Sequence, residues 1–304
     1  MTRFIAVSNR RGGVGKNTTT MMLGYALSVL GYQRVLVIDL DAQASTSITM
    51  MGHERWRLAR EHDKTIGDLL VEMFSDDDLD LEPYIAHQVG DVRIMPGHRR
   101  PLLDVIPSSF ELDNREREIL LSNASAGPTV EAVFTNLQQN VARILRSLDG
   151  QYDIVLMDCP PGLSNVAWGA LGAADYVVIP YLPDATAEDN VGWFAGRLSE
   201  LDPRKKVRVL ANRVRPNSAF QAGIMDSITN IHPSLGLAMP IRSAIAGALE
   251  FRSHPQPIRS KFGDGMVTVE RLFGAMLAWF EQDRMSEPGT GGGAAGRVLA
   301  EEAL

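Results

Sequence analysis

Between the apolar run Phe4-Ile5-Ala6-Val7 and a segment of helical periodicity stands Gly12-Gly13-Val14-Gly15-Lys16-Asn17-Thr18. Glycines at such spacing let backbone N–H groups turn inward around an anion. A lysine adds a point charge for the outer phosphates, and a helix N-terminus directly after it favours negative charge. With a strand before and a helix after, the run reads as a phosphate-binding loop rather than a glycine turn with an incidental lysine. It therefore commits the start of the chain to a strand–loop–helix unit.

The rest of the sequence repeats that alternation. Val35 to Ile38 reads as a second strand ending at Asp39, and Leu103–Ile106, Ile154–Met157, Val177–Ile179 and Val207–Ala211 read as further ones. Helical stripes lie between them. Leu23, Ala26, Leu27 and Leu30 form one, with Gly31 at the cap position; Val130, Val133, Leu137, Val141, Ile144 and Leu148 form another, closed by Gly150. A late stripe runs through Val269, Leu272, Phe273, Met276, Leu277 and Phe280. Continuously apolar strands separated by helices predict an α/β fold, a doubly wound and mostly parallel sheet with helices on both faces.

At 304 residues, with 45% apolar and 22% charged side chains, the chain suits one large domain. Residues 1–287 are expected to form it, with an excursion at about 46–101 that includes a capped helix at Thr65 to Phe74 and the acidic run Asp76-Asp77-Asp78. The glycine-rich stretch 288–304 is expected to be a flexible tail. The net charge of −7 argues against a protein coated in nucleic acid by bulk charge, though it leaves room for a basic patch. A single cysteine, Cys159, makes no internal disulfide and predicts a reducing compartment and a small core residue. No apolar run approaches the ~18 residues of a membrane span, and the phosphate loop follows Met1 too closely for a signal peptide.

The loop Arg11-Gly12-Gly13-Val14-Gly15-Lys16-Asn17-Thr18 resembles that of the deviant Walker A ATPases, the ParA/MinD superfamily, whose pattern is Lys-Gly-Gly-x-Gly-Lys-Thr-Thr. Asp39-Leu40-Asp41-Ala42-Gln43 is similar to the family's Asp-x-Asp-Pro-Gln box, and Tyr152 to Pro161 to its Walker B strand. Ile106-Pro107-Ser108-Ser109 and Ala174 to Pro180 resemble further strand ends of the ParA branch. These motifs stand in the family's order over about residues 1–283.

The resemblance implies an ATPase that uses ATP and Mg²⁺. Lys16 would hold the β- and γ-phosphates, with Gly12, Gly13, Val14, Gly15, Asn17 and Thr18 completing the nucleotide cradle. Asp158, at the end of a buried strand, would hold Mg²⁺ through water; the plain alternative is a carboxylate that closes the strand end. Asp41 would orient the attacking water and Asp39 would support the metal shell. Asn212 resembles the residue that reads the adenine edge, although an asparagine there also serves as a turn former.

Two positions depart from the pattern. Arg11 stands where the family has the lysine that reaches across an ATP-sandwiched dimer, and Arg10 is an alternative donor. Asn17 stands where a Thr or Ser hydroxyl ligates Mg²⁺, so an amide oxygen would take its place and slow turnover is expected. The ParA branch further implies a homodimer with ATP, non-specific DNA binding, a ParB-like or adaptor partner that stimulates hydrolysis, and a cytoplasmic, nucleoid-associated protein. Basic residues after position 200 are the candidates for DNA: Arg204, Lys205, Arg242 and Arg252, among neighbours that include Lys206, Arg208, Arg213, Arg215, Arg259 and Lys261. Trp193 and Phe194 read as core. A MinD-like membrane-surface ATPase ranks low, because Glu301 and Glu302 would be repelled by anionic lipid. A nucleotide switch or scaffold with impaired hydrolysis is the alternative that Asn17 motivates. A lone Cys159 argues against the metal-carrier relatives, which pair cysteines at their dimer interface.

Overall fold

The computed structural model of the chain describes residues 1–74, 80–93, 101–124 and 129–286. The acidic run at 76–78 and the tail from 288 lie outside the described residues. In chain order the elements are β1 (Arg3–Val7), α1 (Lys16–Tyr25), β2 (Val35–Asp39), α2 (Ser45–Glu61), α3 (Ile66–Met73), β3 (Val92–Arg93), β4 (Leu103–Ile106), α4 (Leu112–Ala124) and α5 (Val130–Arg146). They continue with β5 (Ile154–Asp158), α6 (Asn165–Ala173), β6 (Tyr176–Tyr181), α7 (Ala187–Leu201), β7 (Lys206–Val214), α8 (Ala219–Ile231), β8 (Ser234–Pro240), α9 (Ser243–Gly247), β9 (Gln256–Pro257), α10 (Ile258–Phe262) and α11 (Met266–Ser286).

Seven strands form one sheet in the order β4-β2-β5-β1-β6-β7-β8, every pair parallel. The continuous apolar runs have the expected physical cause, since β1, β2, β5, β6 and the centre of β7 are buried on both faces. Phe4, Ala6, Leu36 and Ile38 point into one core, which α3 to α8 cover; Ile5, Val7, Val35 and Val37 point into the other, under α1, α10 and α11. β8 is the strand that apolar periodicity does not reveal. Its sequence Ser-Leu-Gly-Leu-Ala-Met-Pro contains a glycine and a proline and lies half exposed at the sheet edge, where burial imposes little pattern.

The described part of the excursion at about 46–101 contains the expected capped helix and more. It carries α2, then α3 with a capping box between Thr65 and Asp68, then β3. Within α2, Gly52 has φ 79° and ψ 157°, which splits the helix in two. The ring of Phe251 sits against this break, and a Cβ at Gly52 would meet it at 2.7 Å. β3 pairs with β9, and the buried Asp91 beside β3 receives bonds from Tyr25 and Lys261. The first helix is α only to Tyr25 and continues as a π-helical turn over Ala26–Leu30. Its left-handed terminating residue is Tyr32, with φ 51°, rather than Gly31.

Candidate functional site

The C-terminal ends of β1, β2 and β5 lie side by side. Val7 and Asp39 are both register partners of Asp158, so the two strand-end carboxylates stand on the same side of the sheet. The glycine loop arches over this edge. Gly15 takes φ 93°, and a Cβ there would fall 2.0 Å from the Asn212 amide nitrogen, so no other residue fits. Asn212 lies within β7 at a register irregularity; its Nδ2 donates to Val14 O at 2.8 Å and its Oδ1 accepts from Arg213 N at 2.8 Å. In this structure the side chain therefore props the loop, with one donor hydrogen left over.

Asn9, which sequence patterning does not single out, fixes the entry to the loop. It is buried, donates to Pro180 O at 2.8 Å and accepts from Arg11 N at 2.9 Å, tying the loop to β6. Lys16 opens α1 as a nearly buried ammonium that donates to Arg11 O at 3.2 Å. Burial lowers its pKa, and the negative charges of Asp158 and then Asp41 oppose that shift. Asn17 and Thr18 occupy the next two positions of the same turn.

The two buried carboxylates are treated differently by their surroundings. Asp39 Oδ2 accepts from Ser47 N at 2.8 Å and Ser47 Oγ at 2.7 Å, and its Oδ1 accepts from Asp41 N at 3.1 Å. Asp158 Oδ2 accepts from the Thr46 hydroxyl, while Asp158 Oδ1 is buried without a partner. Asn17 Oδ1 is likewise buried and unpartnered. Burial raises the pKa of both carboxyls, and their mutual repulsion raises Asp158 further. Asp41 turns back locally, its Oδ1 accepting from Gln43 N at 2.9 Å.

These features fit a divalent cation that arrives with a phosphate. Among the described residues no cluster of three His, Cys, Asp or Glu side chains could hold a metal alone. What the chain offers instead is two orphaned oxygens, of Asn17 and Asp158, beside a pair of crowded carboxylates and an anion-binding loop. A hard cation that draws its remaining oxygens from phosphate and water matches that donor set.

Other expected site residues lie differently. Arg11 turns along its own chain: NH1 donates to Asp184 Oδ2 at 2.6 Å and Thr186 Oγ1 at 3.1 Å. Trp193 is not core; it is 44% exposed, with the Arg10 guanidinium 4.8 Å above its ring, whereas Phe194 and Cys159 are buried. The four DNA candidates do not form one surface. Arg204 and Lys205 precede β7, at the sheet edge opposite the glycine loop. Arg204 pairs with Asp202, and Lys205 closes the end of α6 by donating to Gly172 O and Ala174 O. Arg242 follows β8 on the loop edge, paired with Asp264, and Arg252 bonds Gln256. Lys206, Arg259 and Lys261 are also in ion pairs, the last fully buried. Charge runs in sequence could not reveal these carboxylates, because most come from distant elements. Among the described residues, the exposed Arg213 and Arg215 have no carboxylate partner, and no helix is long and apolar enough to cross a membrane.

Residues 2–209 match the family described as an AAA domain. The chain is 32% identical over 180 residues to the sporulation initiation inhibitor protein Soj of Bacillus subtilis, covering 59% of this chain and 58% of Soj. It is also 32% identical over 178 residues to the chromosome partitioning protein ParA of Caulobacter vibrioides, covering 59% of this chain and 55% of that protein. The chain thus spans less than two thirds of the length of these relatives. Its fold is shared with a plasmid partition protein of Borrelia burgdorferi bound to AMPPNP, at TM-score 0.65 and 20% identity over 92% of this chain and all (100%) of that one. Cobyrinic acid a,c-diamide synthase of Mycobacterium smegmatis, solved with ADP and magnesium, superposes at TM-score 0.66 and 23% identity over 93% of this chain and 97% of that one.

Proposed function

The chain belongs to the ParA branch of the ParA/MinD superfamily of deviant Walker A ATPases, and on that premise we propose that it is a slow ATPase whose ATP-bound dimer binds DNA without sequence preference. The observation that carries this reading is the meeting of Lys16, the orphaned oxygens of Asn17 and Asp158, and the Asp39–Asp41 box at one strand edge. Lys16 binds the outer phosphates by a charge-assisted contact, and the loop amides from Gly12 to Gly15 enclose them. Mg²⁺, when bound, neutralises charge developing on the transferred phosphoryl group. Asn17 and Asp158 would hold it, and Asp39 would support its shell through Asp41 and Ser47. Asp41, less buried than Asp39, orients the attacking water. Asn212 reads adenine with its remaining N–H.

In the family's ATP-sandwiched arrangement Arg11 would leave Asp184 and reach the partner's phosphates. The pair is half exposed, so its loss costs about 1 kcal/mol or less. DNA contacts fall to Arg213, Arg215 and Arg242 at the loop edge rather than to Arg204 and Lys205. As in the family, an adaptor would stimulate hydrolysis, and the cargo would be DNA or another large assembly. Residues 1–287 would act as one domain.

Light-scattering mass and DNA co-sedimentation, each with ATP, ADP and no nucleotide, test this reading. An ATP-specific doubling of mass together with ATP-specific sedimentation on any DNA sequence is expected. A monomer at saturating ATP, or no DNA binding in any state, contradicts it.

A further inference from the structure

The first turn of α2 sits astride the ends of β2 and β5 and gives one hydroxyl to each buried carboxylate. Ser47 donates to Asp39 and itself accepts from Ser108 N at 2.9 Å, which anchors the turn to the connection after β4. Thr46, its neighbour, donates to Asp158 Oδ2. Both hydroxyl residues are buried. The break at Gly52 sets the segment Ser45–Met51 apart from the rest of α2, and the two neighbouring hydroxyls lie together on that one short piece.

Asp39 accepts protein bonds on both oxygens, whereas Asp158 accepts one on Oδ2 and leaves Oδ1 buried and empty-handed. Complete burial of an unpartnered carboxylate oxygen is costly, so a hydroxyl that only served packing would leave the fold with a defect. We propose that Thr46 is a positioning residue: by engaging Asp158 Oδ2 it fixes the rotation of the carboxylate and turns Oδ1 to the hydrated cation that accompanies the nucleotide. This rests on the nucleotide–Mg²⁺ reading above. Side chains that orient ligands in this way commonly change metal affinity when removed, while leaving the rest of the site in place.

The test follows binding of a fluorescent, non-hydrolysable ATP analogue during a Mg²⁺ titration and, separately, in EDTA. Thr46→Val keeps the side-chain shape and removes the donor; Thr46→Ser keeps the donor and removes a methyl. The Val variant should need about tenfold more Mg²⁺ for the same nucleotide affinity. Its affinity in EDTA should be unchanged, and the Ser variant should restore the wild-type requirement. A Val variant with the wild-type requirement, or a Ser variant as impaired as Val, overturns the proposal. Should Val not fold by circular dichroism, Thr46→Cys, a weak donor of similar size, carries the same comparison against Ser with the same two outcomes. A wild type whose nucleotide affinity is identical in Mg²⁺ and EDTA overturns the parent reading, and with it this role for Thr46. A cation-dependent wild type with an unaffected Val variant overturns Thr46 alone.

Discussion

Two buried carboxylates in this molecule have opposite surroundings. Asp91, beside β3, is closed: Oδ1 accepts from Tyr25 at 2.8 Å and lies 2.7 Å from Lys261 Nζ, and Oδ2 accepts from Arg252 N at 2.9 Å and from Lys261 at 2.8 Å. Lys261 and Asp91 side chains are 1% and 0% exposed, so this ion pair is fully inside. Burial lowers the Lys261 pKa against the pull of Asp91, and burial raises that of Tyr25. Asp158, at the end of β5, is open, with one oxygen lacking any partner. A closed cluster fastens elements together, here the end of α1, the start of β3 and α10. An open one is incomplete until something binds. The difference marks Asp91 as a structural charge and supports, without reference to any relative, the functional role proposed for Asp158.

The sharpest way to break this contrast is to open the closed cluster. Lys261→Met removes the counter-charge and leaves Asp91 buried and uncompensated, a loss of about 3–5 kcal/mol. Denaturant unfolding checks it; a loss below about 1 kcal/mol would mean that the pair is no staple. At the open site the expected effect is on binding. Lys16→Ala removes a charge-assisted phosphate contact worth about 1.5–3 kcal/mol, hence roughly a ten- to hundredfold loss of nucleotide affinity. ATP-dependent dimerisation should disappear with it, and calorimetric titration with unchanged affinity would place the phosphates elsewhere.

Asn17→Thr sharpens the contrast from within the site. It replaces the orphaned amide oxygen by a hydroxyl on a shorter arm. Mg²⁺ tolerates little departure from octahedral geometry, so turnover should rise about tenfold, equivalent to ~1.4 kcal/mol of barrier. Single-turnover phosphate release at saturating ATP and DNA measures it, and equal rates would show that the amide is a competent ligand.

The smallest effect belongs to a surface cluster that is neither closed nor open. His87 lies 3.0 Å from Asp104 and 2.8 Å from Glu82. Partial burial pulls its imidazole down, but the hydrogen bonds and charges of Asp104 and Glu82 outweigh this and raise its pKa. A pKa raised on folding means stability fully present below the unfolded value of about 6.5 and lost as pH rises through the folded value. Because the ring is half exposed, less than about 1 kcal/mol is at stake. His87→Gln should abolish that decline in unfolding free energy as pH rises above the unfolded value of about 6.5; an unchanged slope would assign it to other groups.

The fold was legible because buried parallel strands must be apolar on both faces, as the interiors of β1, β2, β5 and β6 are, while β4 and β7 carry Asp104 and Arg208 within otherwise apolar runs. Lys16, Asp39 and Asp158 were legible because a charge at the end of such a strand, or the start of the next helix, has few structural reasons to be there. Thr46, Ser47 and Asn9 were not, since buried hydroxyls and amides look like any polar residue until their partners fold against them. The opposite error befell Lys205 and Lys261, which resemble surface cations in sequence and are occupied within the fold. Trp193 failed for a related reason: helical spacing beside Phe194 and Leu198 does not say where the apolar stripe ends.

The most direct test of the open-site account is equilibrium unfolding of wild type and Asp158→Asn, each alone, with ATP analogue in EDTA, and with ATP analogue and Mg²⁺. Without ligand, Asp158→Asn should be at least as stable as wild type, because it removes a buried, incompletely partnered charge. At a hundredfold excess over Kd, nucleotide with Mg²⁺ should stabilise wild type by about 2.7 kcal/mol. In the variant, Mg²⁺ should add nothing beyond what nucleotide in EDTA provides. An Asp158→Asn protein that is destabilised without ligand, as opening the Asp91 cluster would do, or that keeps the full Mg²⁺ increment, would contradict the account.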